Sequence, residues 1–151
     1  MLRPEQRRLV FWLIAAFLVL GAGIGLREPT PPDEPRFAMM AQDMVETGNW
    51  LVPHRGSEIY AEKPPVFMWL QASAYAVLGD LRIAFLLPSL LAGVLTLWLV
   101  YDLAKRLWGP QAAMAASVAL ALCLQFGLQA KRAQIDMVVV AMIMGAVWAM
   151  G

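Results

Sequence analysis

Two acidic residues, Asp33 and Asp136, have a type and a position that could support catalysis. Asp33 opens the sequence Asp-Glu-Pro-Arg, and Asp136 directly precedes an apolar run that begins at Met137. A carboxylate at such a position can orient or deprotonate a hydroxyl group, or hold a cation, in a partly desolvated site. The alternatives are helix capping for Asp33, which spacing alone favours, and a loop charge paired with Arg132 for Asp136.

Basic residues in the same part of the sequence are candidates for binding an anionic substrate. Lys63 lies between an acidic residue and a proline and could act as a point charge for a phosphate group. The alternative is an exposed or snorkelling lysine. Arg36 and Arg55 are weaker candidates for the same task. His54 is the single histidine, so it cannot form a zinc site by itself and is predicted to make loop hydrogen bonds.

These residues, Asp136 apart, lie in a polar segment, residues 27–82, which separates two apolar runs. It carries eight of the 11 acidic residues: Glu28, Asp33, Glu34, Asp43, Glu46, Glu58, Glu62 and Asp80. Apolar residues recur at helical spacing from Phe37 to Val45 and predict a helix over about 35–47 that ends at Gly48. A second apolar stretch, 64–78, is too short to span a bilayer and predicts an interfacial or re-entrant helix.

Four uncharged apolar runs predict membrane-spanning helices. The chain has 151 residues, of which 60% are hydrophobic and 15% charged, and a soluble domain of this size could not bury so much apolar surface. The runs cover about 9–26, 83–101, 112–130 and 137–151, near the roughly 20 residues that a bilayer requires. The fourth run continues to the last residue, which suggests a fragment. The predicted fold is an all-α, polytopic membrane fold.

Basic residues in the short links predict the orientation, because Lys and Arg mark the cytoplasmic side. They precede the first run and separate the second from the third: Arg3, Arg7, Arg8, Lys105 and Arg106. Segment 27–82 and link 131–136 then face the other side, although that link also carries two basic residues. One crossing by each of three runs places Asp33 and Asp136 on the same face. If 64–78 also crossed, the two acids would lie on opposite faces.

Two further interpretations concern the chain's first run and its cysteine. The first run could be a cleaved signal peptide, but its length and the lack of a small-residue cleavage site favour an uncleaved anchor. Cys123 is the single cysteine, which excludes a disulfide framework, and it is predicted to be a small buried apolar residue. The net charge of +1, without a basic stripe, gives no reason to expect nucleic acid.

Three sequence blocks resemble one enzyme family. They are DEPRFA at 33–38, GNWLVPH at 48–54 and EKPP at 62–65. In this order after the first apolar run, they resemble the first extracytoplasmic loop of the bacterial 4-amino-4-deoxy-L-arabinose (aminoarabinose) transferases, which are related to the protein O-mannosyltransferases. The resemblance covers roughly the whole chain, and family members are several times longer.

The resemblance implies a GT-C glycosyltransferase of the bacterial inner membrane whose active face is periplasmic. The implied donor is a polyprenyl-phosphate sugar, and the acceptor would be lipid A, another glycan or a protein. The family's site residues imply that Asp33 and Asp136 are catalytic and that Lys63 binds the lipid phosphate. Glu62 would help to bind a divalent metal ion whose histidine ligand lies much further along the family's sequences. Further substrate-binding candidates are Arg36 and Glu34.

Two other classes of protein share some of these features. A secondary transporter would also have many spans and a few charges, but its charges would lie at mid-bilayer on broken helices. A non-catalytic membrane subunit would have the same spans without convergent acidic residues. The clustering of charge in an aqueous loop favours the transferase.

Overall fold

The computed structural model describes residues 3–26, 28–30, 33–55, 58–60 and 63–150, without the side chain of Arg55. In this part of the chain almost every element is a helix, which confirms the predicted all-α class. The helices are α1 (Pro4–Gly21), α2 (Asp33–Thr47), α3 (Val66–Leu78), α4 (Leu81–Ala84), α5 (Leu87–Leu122), α6 (Leu124–Ala130) and α7 (Ile135–Met150). Two short strands, β1 (His54–Arg55) and β2 (Glu58–Ile59), pair in antiparallel orientation.

The chain divides into two compact units. Unit 1 contains Met1–Ala22, Leu90–Lys131 and Asp136–Gly151, and unit 2 contains Gly23–Ser89 and Arg132–Ile135. Unit 1 therefore holds the long apolar helices. Unit 2 holds α2, α3, α4, the hairpin and the link between α6 and α7.

In unit 1, α5 is a helical hairpin rather than a straight rod. Gly109 interrupts it with φ 85° and ψ 174°, and Pro110 follows. The Ser117 hydroxyl donates to the carbonyl of Leu97 at 3.1 Å, whereas in an unbroken helix these residues would be about 30 Å apart along the axis. The chain therefore reverses at Gly109, and residues 87–108 and 110–122 form two antiparallel arms.

One end of unit 1 carries two ion pairs. The Lys105 ammonium lies 3.3 Å from the Glu5 carboxylate, which joins the start of α1 to the end of the first arm. Asp102 accepts hydrogen bonds from Arg106 at 2.9 Å and from the indole of Trp148 at 2.8 Å. The last turns of α7 therefore lie at this same end.

Closely packed small and apolar side chains meet towards the opposite end of unit 1, which is called its apolar end. A β-carbon placed on Gly93 would lie 3.1 Å from that of Ala130 and 3.8 Å from a methyl group of Leu20. The end of α1, the start of the first arm and the end of α6 therefore meet here. Because the end of α7 lies at the charged end, its first residues, including Asp136, lie towards this apolar end.

The helices differ from the predicted runs at two positions. The first run was predicted to reach Leu26, but α1 ends at Gly21 because Gly23 and Gly25 adopt φ 93° and 82°, which an α-helix does not allow. The third run was predicted to be one helix, but Cys123 is extended between α5 and α6. The prediction that Cys123 is buried is wrong, because it is exposed at this break.

Among the described residues, one helix is long and apolar enough to cross a membrane. Leu81–Leu122 is long and apolar enough, and α6 and α7, bent by 112°, meet the same criterion only as a pair. The segment Leu81–Leu122 reverses at Gly109 and so consists of two antiparallel arms. The four individual crossings and their bounds stay predictions.

Unit 2 is built on the packing of α2 against α3. The rings of Phe37 and Phe67, one from each helix, meet edge to face at 5.7 Å. The predicted apolar stripe of α2 is buried, with Phe37, Ala41 and Met44 at most 1% exposed. Gly48 ends α2 with φ 74°, and its N–H donates to the carbonyl of Met44 at 3.1 Å.

Two polar contacts hold α4 and the start of α5 in unit 2. The buried Gln71 amide of α3 donates to the carbonyl of Phe85 at 2.7 Å. The Ser89 hydroxyl donates to the carbonyl of Gln134 at 3.4 Å. Through Ser89, the link between α6 and α7 becomes part of this unit.

Candidate functional site

The first turn of α2 holds an ion pair between two predicted site residues. Asp33 and Arg36 are one helical turn apart, and an Arg36 guanidinium nitrogen contacts Oδ1 of Asp33. Oδ2 has no hydrogen-bond partner among the described residues. Both side chains are about one-third exposed, at 27% and 32%. The pair therefore fixes the Asp33 carboxylate and leaves one of its oxygens available.

Glu34, the next residue, points the other way and is buried. Its side chain is 3% exposed. One carboxylate oxygen accepts the N–H of Thr30 at 2.7 Å, and the other accepts the N–H of Ala133 at 2.8 Å. Hydrogen bonds to a buried carboxylate are stronger than those between neutral groups. Glu34 therefore joins the start of α2 to the preceding loop and to the link between α6 and α7.

Lys63 lies beside the same end of α2. Its ammonium is 5.3 Å from the centroid of the Phe37 ring, a cation–π distance. The side chain is exposed. Phe37 belongs to the second turn of α2, so Lys63 and the Asp33–Arg36 pair both lie along the first two turns of this helix. Unit 2 thus brings together four of the predicted site residues: Asp33, Glu34, Arg36 and Lys63.

Two cavities flank strand β1 in unit 2. One is about 430 Å³ and mostly apolar, with Lys63 as its only charged lining residue among those described; its apolar lining includes Leu51, Pro53, Ile59 and Pro64. The other is about 390 Å³ and follows the polar face of α2, with His54 completing its wall. Sequence reasoning predicted His54 to be a loop hydrogen-bonder, and the structure places it in β1 at this cavity.

The other predicted site residues lie in unit 1 or outside the residues that the structure describes. Asp136 is exposed in the first turn of α7, in unit 1. Glu62 and the Arg55 side chain lie outside the described residues. Within the described part, no three His, Cys, Asp or Glu side chains lie close enough to hold a metal ion. Metal binding through Glu62 stays a prediction.

Sequence reasoning missed two features of the site. The Ala133 contact has no signal in the sequence, because a backbone N–H is the same in every residue except proline. The polar cavity had a signal: Arg36, Asp43 and Glu46 recur at helical spacing on α2. This spacing indicates a polar face of a helix, but it does not indicate that β1 covers that face.

Comparison with protein families gives a match to one family model. Residues 62–151 match the dolichyl-phosphate-mannose-protein mannosyltransferase family. Undecaprenyl phosphate-α-4-amino-4-deoxy-L-arabinose arabinosyl transferase 1 of Pseudomonas fluorescens is 38% identical over 102 residues, 68% of this chain and 18% of that protein. The corresponding enzyme of Pseudomonas savastanoi pv. phaseolicola is 35% identical over 123 residues, 80% of this chain and 22% of that protein.

Solved structures agree with the family match. The crystal structure of ArnT from Cupriavidus metallidurans bound to undecaprenyl phosphate superposes with a TM-score of 0.87 and 26% identity, covering 93% of this chain and 26% of that one. The apo structure gives a TM-score of 0.87 and 25% identity, covering 98% and 28%. This chain spans about a fifth of the length of the curated relatives. It belongs to the dolichyl-phosphate-mannose-protein mannosyltransferase family and has the ArnT-like, GT-C membrane fold.

Proposed function

We propose that the protein containing this chain transfers a sugar from a polyprenyl-phosphate donor to an acceptor at the periplasmic face of the bacterial inner membrane. The acceptor class is lipid A, another glycan or a protein. The observation that carries the proposal is that the first two turns of α2 hold both the Asp33–Arg36 ion pair and the contact between Phe37 and the Lys63 ammonium. The names of the relatives, which are undecaprenyl-phosphate aminoarabinose transferases, support this donor class.

The proposed reaction is an inverting displacement at the anomeric carbon of the donor sugar. The acceptor hydroxyl oxygen forms the new bond to that carbon, and the bond from the carbon to the phosphate oxygen breaks with its electron pair on the phosphate. Asp33 accepts the acceptor proton or orients the hydroxyl. Its ion pair with Arg36 leaves Oδ2 for this contact.

Lys63 is proposed to bind the phosphate of the donor. Negative charge builds up on the phosphate as its bond to the sugar breaks. The attraction between the Lys63 ammonium and the phosphate is therefore stronger in the transition state than in the bound donor. The apolar cavity beside it, lined by Leu51, Ile59 and Pro64 among others, suits the first carbons of a prenyl chain. Binding the donor in this way orients its reactive carbon without a nucleotide pocket.

Glu34 and Asp136 are proposed to have different roles. The buried, doubly hydrogen-bonded carboxylate of Glu34 suits positioning of the site better than direct contact with substrate. Asp136 follows Ala133, the partner of Glu34, by three residues in the chain and is proposed as the second functional acid. A divalent metal ion, held partly by Glu62, stays a proposal based on the family resemblance.

Steady-state transfer assays on the complete protein test these roles. Asp33→Asn is expected to lower kcat about 10²- to 10⁴-fold, because it removes the group that accepts or orients the proton. Lys63→Ala is expected to lower kcat/KM for the polyprenyl-phosphate sugar by a similar factor. Lys105→Ala, at the other unit's charged end, is the matched control. Near-normal transfer by both site variants would contradict the assignment.

The same assay distinguishes the transferase from the two rival classes. A secondary transporter or a non-catalytic subunit would release no polyprenyl phosphate from the donor in the presence of acceptor. Membership in a glycosyltransferase family favours the transferase over both.

A further inference from the structure

The polar face of α2 and strand β1 enclose a cavity to which the proposed chemistry assigns no role. Its volume of about 390 Å³ lies within the roughly 300–1,000 Å³ of small-molecule sites. Two methionines, Met39 and Met40, supply an apolar part of the wall. The polar lining residues are Arg36, Gln42, Asp43, Glu46 and His54.

Two of these polar side chains are available to a ligand. Asp43 and His54 are half-buried, and neither side chain has a hydrogen bond or ion pair among the described residues. The Gln42 amide donates to Glu46 at 2.6 Å, and each of these groups keeps further hydrogen-bonding capacity. The cavity therefore offers carboxylate acceptors, amide and guanidinium donors, and an imidazole.

The described lining residues include two carboxylates and one guanidinium, and this excess of negative charge disfavours anions. Asp43 and Glu46 contribute two negative charges, while the positive charge of Arg36 is already paired with Asp33. A phosphate group would be repelled, whereas a neutral or cationic group would be accepted. Carboxylates accept hydroxyl hydrogens, and the methionine side chains can contact the C–H groups of a ring.

We propose that this cavity binds a sugar ring, either neutral or amine-substituted, and that Asp43 and His54 determine its selectivity. The proposal rests on the proposed transferase function and adds a subsite to it. Arg36 connects the cavity to the Asp33 carboxylate. Pro53 lines the apolar cavity with Lys63, and the next residue, His54, lines this one.

The sugar could come from either substrate. In the donor, the sugar is attached to the phosphate that Lys63 is proposed to bind. In a glycan or glycolipid acceptor, a sugar carries the attacking hydroxyl. Both sources present the same hydroxylated ring, so the experiment must separate them.

The first experiment measures transfer by the complete protein with Asp43→Asn and His54→Gln, varying donor and acceptor separately. Each variant is expected to raise KM about tenfold for one substrate only, with kcat within about twofold, because a hydrogen bond to bound sugar is lost. A higher KM for the donor would show that the cavity binds the donor sugar. A higher KM for the acceptor would show that it binds the acceptor sugar. Glu58→Gln, an exposed carboxylate on β2 outside both cavities, is the matched control.

The second experiment measures binding without turnover, by saturation-transfer NMR on the purified protein. D-glucose and D-glucosamine are the neutral and cationic probes, and glucose 6-phosphate is the anionic probe. The two uncharged or cationic probes are expected to bind the native protein and to lose about tenfold in affinity in both variants. Glucose 6-phosphate is expected to bind more weakly than glucose.

The two experiments fail in distinguishable ways. Probe binding that depends on Asp43 and His54, in a protein without transfer activity, would refute the proposed function and keep the sugar site. Normal transfer with unchanged KM values in both variants would overturn the sugar site and keep the transferase. Tighter binding of glucose 6-phosphate than of glucose would overturn the charge argument.

Discussion

At the residue scale, neighbouring acids on α2 have different environments. Asp33 is partly exposed and paired with Arg36, whereas Glu34 is 3% exposed and accepts two backbone N–H groups. The backbone of the first helical turn points consecutive side chains about 100° apart. One side chain therefore faces solvent or substrate while the next faces the protein interior.

Replacing Glu34 with Gln is expected to destabilise unit 2. The amide can accept one of the two N–H groups, but its own NH₂ would face the other, leaving a buried donor unsatisfied. The expected loss is about 1–3 kcal/mol in the free energy of unfolding, measured as a lower Tm in detergent. Glu58→Gln, on the exposed hairpin, should leave the Tm unchanged.

Activity measurements on the Glu34 variant separate positioning from substrate contact. A positioning role predicts a lower kcat with KM values for donor and acceptor within about twofold. A selective rise in one KM would instead support the original sequence-based assignment of Glu34 to substrate binding. An unchanged Tm would contradict the buried contacts.

The Asp33 interpretation also depends on contacts that residue type does not reveal. Helix capping was the alternative, and acidic residues do occupy the first turn of α2. The structure adds the ion pair of Asp33 with Arg36 and, in the next turn of α2, the contact of Phe37 with Lys63. The sequence could name these residues but could not show that they meet.

At the element scale, Gly109 allows α5 to reverse. Its φ of 85° with ψ of 174° lies in a region that is almost exclusive to glycine. The reversal puts Ser117 against Leu97 and lets the Trp12 indole donate to the Ser117 hydroxyl at 2.9 Å. One backbone conformation thus assembles α1 and both arms of α5.

Gly109→Ala is expected to destabilise unit 1 by about 1–3 kcal/mol, because alanine is strained in this conformation. The measurement is the Tm of the purified protein in detergent. Gly145→Ala is the matched control, since no described atom lies within 4 Å of a β-carbon added there and its φ is not positive. A Tm loss as large for Gly145→Ala would contradict the explanation from backbone strain.

Glycine positions predict the helix ends of this chain better than the bounds of the apolar runs do. Gly48 and Gly79, with φ of 74° and 68°, end α2 and α3, and the sequence predicted the first of these. The breaks at Gly21 and Cys123 lie inside continuous apolar runs. Hydropathy cannot locate them, because it records how apolar a segment is and not its backbone conformation.

At the scale of the whole molecule, the elements of unit 1 run in alternating directions. α1 and the second arm of α5 run from the charged end to the apolar end, and the first arm and α7 run back. Glu5, Lys105 and Arg106 mark the charged end. The start of α1 and the end of the first arm therefore lie at one end, and the cytoplasmic position of that end stays a prediction.

Cysteine labelling in spheroplasts tests the sidedness. In a variant without other cysteines, Asp33→Cys and Asp136→Cys are expected to react with a membrane-impermeant maleimide in intact spheroplasts. Lys105→Cys should react only after lysis, because it lies at the charged end that the basic residues predict to be cytoplasmic. Labelling of only one of the two acidic positions from outside would exclude a common active centre.

The sequence by itself determined the membrane environment and the family of this protein. The length of its apolar runs required an all-α membrane fold, since backbone polar groups cannot remain unpaired in lipid. The blocks around Asp33, His54 and Lys63 identified the glycosyltransferase family. These features depend only on residue type and local spacing, which the amino-acid sequence contains.

Only the tertiary structure decided which residues meet. The Glu34–Ala133 hydrogen bond joins positions 99 residues apart, and the polar cavity exists because β1 returns to the face of α2. The reversal at Gly109 likewise depends on packing between the two arms. Contacts of this kind arise from three-dimensional packing and from backbone groups that all residues share, so residue type and spacing cannot specify them.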